Sequence, residues 1–153
     1  MDSVENKNEE HKKIKIMLVD DDDMMRIYFR DIFWVHGFND KYEIIIAPSI
    51  EEAEAKLNDE STRPQTIFLD VMIPVKGGKN DPSTLIKRCL DFITKMKNDP
   101  KLSNIKIIVY SGQKEKSIID AVNKLGVEGY LVKGELMPKE IIAYTEKMHG
   151  ANN

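Results

Sequence analysis

Apolar residues recur along this chain in two alternating rhythms. Short runs rich in β-branched side chains alternate with longer segments in which apolar positions return every three or four residues. The runs at 14–20 (IKIMLVD), 42–47 (YEIIIA), 66–71 (TIFLDV), 105–111 (IKIIVYS) and 129–133 (GYLVK) read as strands. The segments at 23–36, 50–58, 84–97, 115–125 and 138–148 read as helices. Punctuation residues sit at their ends. Asp22 or Asp23 is placed to cap the first helix and Gly37 to end it; Ser49 and Glu52 have capping-box spacing; Asn98-Asp99-Pro100 and Gly126 stop the third and fourth helices; Pro138 opens the last. Several strands are apolar almost throughout, as in a parallel sheet covered by helices on both faces. With right-handed crossovers the pattern predicts a doubly wound α/β fold, one domain over 13–150. Residues 1–12 have almost nothing to bury and are expected to form a disordered tail.

Composition narrows the function classes. The 23 basic and 26 acidic residues give a net charge of −3, which argues against direct nucleic-acid binding. Cys89 is the single cysteine, so no intramolecular disulfide can form, and its place in the helical segment LIKRCLDFITKM suits a packed thiol better than a nucleophile. No apolar run approaches the ~20 residues of a membrane span, and MDSVENKNEEHKK has no apolar core of a signal peptide. A cytoplasmic location away from membranes is expected.

Doubly wound sheets bind ligands beyond the carboxyl ends of their strands. Asp20 and Asp21 end the first strand here, Asp70 the third, Ser111 the fourth and Lys133 the fifth. Three carboxylates would converge there with a hydroxyl and an ammonium. Crowded carboxylates repel unless a cation joins them, and Mg²⁺ prefers such oxygen ligands. Lys133 and Ser111 could then meet phosphoryl oxygens, and a carboxylate can act as a phosphoryl acceptor. The residue types alone do not choose among Asp20, Asp21 and Asp70 as that acceptor.

Four pieces in order, VDDDDMMR (19–26), FLDVMIP (68–74), VYSG (109–112) and GYLVKG (129–134), resemble the receiver domain of two-component response regulators over about residues 14–148. The resemblance implies a flavodoxin-like sheet of strand order 2-1-3-4-5. It implies Asp70 as phosphoacceptor, with Lys133 and Ser111 assisting. The metal ligands would be Asp21, Asp20 (mostly through metal-bound water), Asp70 and the backbone carbonyl of Met72, holding Mg²⁺. Ser111 and Tyr130 would form the switch. The donor would be a sensor histidine kinase or histidine phosphotransfer protein, and the output an unidentified downstream protein. Such a domain is a signalling receiver that catalyses its own aspartyl phosphorylation and dephosphorylation, not an enzyme with an external substrate.

Two departures stand out. Gly134 replaces the proline that usually follows the family's lysine, which predicts a less rigidly placed Lys133. The stretch after Pro74 is longer than usual and reads as a loop over 75–83, a candidate lid or docking element. Both favour the rival reading, a phosphorylation-independent receiver-like interaction module; the complete set of Asp20, Asp21, Asp70, Ser111 and Lys133 opposes it. A phosphatase with its nucleophile on the first strand would leave Asp70 and Lys133 unexplained. The aspartate run lacks the glycine and terminal glutamate of a calcium loop, and His11, His36 and His149 lack zinc-ligand spacing. Met24, Met25 and Trp34 lie on the first helix, where core packing is the expected role.

Overall fold

The computed structural model describes residues 12–149. Its elements follow in chain order: β1 (Ile14–Val19), α1 (Asp23–Val35), β2 (Tyr42–Ala47), α2 (Ile50–Asn58), β3 (Thr66–Leu69), α3 (Pro82–Asn98), β4 (Lys106–Ser111), α4 (Lys116–Asn123), β5 (Gly129–Val132) and α5 (Pro138–Met148). The five strands are all parallel, in the order β2-β1-β3-β4-β5. The expected tail falls almost wholly outside the described residues.

Strand side chains point alternately to the two faces, so each central strand must be apolar on both. In β1, Met17 and Val19 pack with Ile50, Ala53 and Leu57 of α2, Phe92, Ile93 and Met96 of α3 and Val122 of α4. Ile16 and Leu18 face the other way, toward Phe29, Ile32 and Phe33 of α1 and Ile141 and Ile142 of α5. All four residues of β3 are buried, which places it at the centre.

The caps act as the local chemistry demands. Asp22 accepts hydrogen bonds from the amides of Met24 and Met25, and Ser49 from the amide of Glu52 at 3.1 Å. Cys89 is buried and burial pushes its thiol up to about 12, in keeping with a packing role.

Three expectations need correction. Helix α3 starts at Pro82, not 84: Asp81 caps it, accepting from the Thr84 amide at 3.2 Å, and proline suits the first turn. The connection is therefore shorter than its composition suggested, and the Val75 amide donates to Asn80 Oδ1 within it at 2.7 Å. Strands β1, β3 and β5 end one residue before Asp20, Asp70 and Lys133. Met24 and Trp34 are not in the core; they are 73% and 66% exposed, and only Met25 of that group packs inward.

Candidate functional site

The parallel ladder runs on for one residue beyond three strands, and this sets the site. The Asp20 amide donates to Ala47 O at 3.1 Å, the Asp70 amide to Val19 O at 3.0 Å and the Lys133 amide to Ser111 O at 2.9 Å. Each functional side chain thus starts from a backbone fixed by a neighbouring strand, and all emerge on one rim. Ser111 is the last residue of β4.

Asp20, Asp70 and Ser111 are buried, at 1%, 7% and 0% exposure; the other buried polar side chains among the described residues are Thr66 and Thr145. Lys133 Nζ lies 2.5 Å from Asp20 Oδ2 and 3.3 Å from Asp70 Oδ2. Asp20 also accepts from the Asp22 amide at 3.0 Å through Oδ1. Burial raises the Asp20 pKa; the Lys133 and Asp22 hydrogen bonds only partly oppose it. Burial also opposes the charge on Lys133, but the Asp70 and Asp20 carboxylates outweigh it and the ammonium is held above its ordinary pKa. Lys133 is therefore charged at neutral pH.

Carboxylate oxygens of Asp20, Asp21 and Asp70 lie within 4.8 Å of one another. One ammonium cannot balance three carboxylates, and every donor is oxygen. The residues fit a hard divalent cation such as Mg²⁺. Asp21 is exposed and opens the cluster to solvent. Met72 is half-buried, and its amide donates to Asp70 Oδ1 at 3.4 Å.

Gly134 stands at φ +86°, a left-handed conformation that glycine adopts readily. Lys133, which Gly134 follows in place of a proline, meets Asp20 and Asp70 through its ammonium. Besides its two carboxylates, its ammonium lies 5.9 Å from the ring centroid of Tyr110. Tyr110 is itself wedged against Phe29 and Phe68 and keeps its proton, burial pushing it to about 12. Sequence reasoning passed over Tyr110, because a strand aromatic looks like ordinary core. Its place immediately before Ser111, on the strand beside β5, was the available signal.

Gln113 makes two backbone contacts beside the rim. Its amide donates to Ser111 Oγ at 3.2 Å, and its carbonyl accepts from the Tyr130 hydroxyl at 2.7 Å. Tyr130 is half-buried, packed against the core beneath α2, α3 and α4. One backbone unit thus joins Ser111 to Tyr130. A groove beside the rim is lined by Asp22, Met24, Met25, Tyr28, Tyr110 and Leu136.

A family model for the response regulator receiver domain matches residues 16–146. No curated protein matches the chain in sequence. Among solved structures, the chain is similar to the phosphorylated cyanobacterial phytochrome response regulator RcpA, at 22% identity and TM-score 0.70, covering 90% of this chain and 94% of that one. It is similar to the Mn²⁺-bound form of response regulator Rcp1, at 20% identity and TM-score 0.67, covering 88% and 92%. The chemotaxis response regulator CheY4 of Vibrio cholerae gives 20% identity and TM-score 0.68, covering 89% and 98%.

Proposed function

The chain belongs to the response regulator receiver domain family, and on that footing we propose that Asp70 accepts a phosphoryl group from a phosphohistidine. The donor is a sensor histidine kinase or a histidine phosphotransfer protein. The observation that carries the reading is the placement of Asp70, buried at the rim with an ammonium 3.3 Å away and two further carboxylates beside it.

An Asp70 oxygen attacks phosphorus, the new O–P bond forms, and the P–N bond to the donor imidazole breaks, its electron pair returning to that ring. Such transfer needs positioning and charge neutralisation more than bond-making groups from the protein. Lys133, already fixed between Asp20 and Asp70, meets the phosphoryl oxygens. Asp21, Asp20, Asp70 and the Met72 carbonyl would hold Mg²⁺, whose charge offsets that of the phosphoryl group. The RcpA and Rcp1 structures, one phosphorylated and one with Mn²⁺, are compatible relatives of the same fold.

The Ser111 hydroxyl turns from its Gln113 contact to donate to the phosphoryl group, and Tyr130 follows through the same Gln113 backbone. This shifts the population of the α4, β5 and α5 face toward a partner-binding state. The test is incubation with acetyl phosphate and Mg²⁺ followed by intact-mass measurement. One phosphoryl addition is expected in the native chain and none in Asp70→Asn; addition retained in Asp70→Asn would overturn the reading.

A further inference from the structure

Among the described residues, six large hydrophobic side chains are exposed, and five of them lie on α1: Met24, Ile27, Tyr28, Trp34 and Val35. The inward face of α1 is already satisfied by Phe29, Ile32 and Phe33. The helix therefore carries a second apolar stripe. Ile27 and Trp34, 57% and 66% exposed, are seven residues apart and so lie two turns apart along one outward line. Arg30 and Asp31, both exposed, sit on that line between them. The ion pair of the described residues on this helix is Arg26 with Asp23, and it leaves Arg30 and Asp31 out.

This outward line matches itself when read backwards. Reversal about the point between residues 30 and 31 sets Arg30 opposite Asp31 and Ile27 opposite Trp34. A two-fold axis there would join two copies of α1 antiparallel. Two reciprocal Arg30–Asp31 pairs would form, flanked by two Ile27–Trp34 contacts, an isologous arrangement in which each residue is used twice. The first eleven residues, MDSVENKNEEH, hold only Met1 and Val4 as apolar side chains to offer such a stripe.

We propose that the outer face of α1 is a self-association surface, and that its occupant is α1 of a second copy of this chain. A seam of one helix falls short of the ~1,200–2,000 Å² of a stable complex, so the dimer forms only at high protein concentration. Its centre lies about 11 Å along the helix from Asp23, at 1.5 Å per residue. The inference does not depend on the phosphotransfer reading.

The chain has a single tryptophan, and it stands in this seam. Sedimentation equilibrium and Trp34 emission on the full chain from micromolar to near-millimolar concentration test the proposal. A concentration-dependent dimer with a matching blue shift is expected. Arg30→Asp and Asp31→Arg should each weaken it by about tenfold, through lost pairs and new like-charge contacts. The double swap R30D/D31R should restore the native affinity. A monomer throughout the range, or a dimer indifferent to the single swaps, would overturn the proposal. All three variants alter exposed positions, and their melting curves verify folding.

Discussion

The two ends of this sheet both hold buried polar clusters, and they are built to opposite rules. At the amino end, the Thr66 hydroxyl and His149 Nε2 are 2.7 Å apart, and Glu146 accepts from Lys41 at 2.5 Å and from the Tyr42 hydroxyl. Lys106 reaches the Met148 carbonyl at 3.3 Å. Donors there meet acceptors, and the cluster fastens α5 to the strands. At the carboxyl end, Asp20, Asp21 and Asp70 face one Lys133. That cluster is short of positive charge. A closed network adds stability, whereas an open one gives up stability to hold something the chain does not supply.

Substitutions at the two ends should therefore fail in different ways. The largest effect is expected in Asp21→Ala, which removes a carboxylate from the open cluster. Mg²⁺ affinity, read by titration, should fall about 10–100-fold, while the melting temperature without Mg²⁺ should stay level or rise as repulsion is relieved. A fall in stability with unchanged Mg²⁺ affinity would break the contrast. Glu146→Ala should do the reverse. Loss of the shared acceptor for Lys41 and Tyr42 is expected to cost about 1–2 kcal/mol in urea unfolding, with phosphorylation of Asp70 unchanged.

A pH series sharpens the same comparison. Burial, with Lys106 and Lys41 nearby, holds the His149 pKa below its ordinary 6.5 despite Glu146. The unfolded chain then binds a proton that the folded chain resists. The stability tied to His149 is complete above about pH 6.5 and is lost as pH falls toward the depressed folded value. Melting temperature should drop through this window in the native chain and drop less in His149→Gln; equal slopes would remove His149 from the account. The smallest effect is expected in Tyr110→Leu. Loss of the ring beneath Lys133 should slow phosphorylation by acetyl phosphate about two- to fivefold. Tyr110→Phe should restore the rate, and Tyr110→Leu should add nothing to Lys133→Ala.

Legibility in the sequence followed the range of the interaction. The alternation of elements and the Asp22 and Ser49 caps were readable because each depends on neighbours a few residues away. Asp20, Asp70, Ser111 and Lys133 were readable as a group through the rule that parallel strands share a carboxyl edge and through the four motifs that carry the family resemblance. The start of α3 was misplaced because Asp81-Pro82 serves a turn and a helix N-terminus equally well. Helical spacing could not sort Met24 and Trp34 from Phe29 and Phe33, since α1 has apolar residues on two sides. Nothing local linked Thr66 to His149, 83 residues apart.

Periodicity and capping determined, from the chain alone, that strands and helices alternate and, to within a residue or two, where the strands end, because backbone hydrogen bonding and side-chain burial act over one or two turns. Only the tertiary structure decided which α1 face met the sheet, that Tyr110 lies under Lys133, and that one Gln113 backbone unit touches both Ser111 and Tyr130. Those contacts depend on strand order, register and packing direction, which are settled by the close packing of the whole core and leave no periodic trace in any one segment.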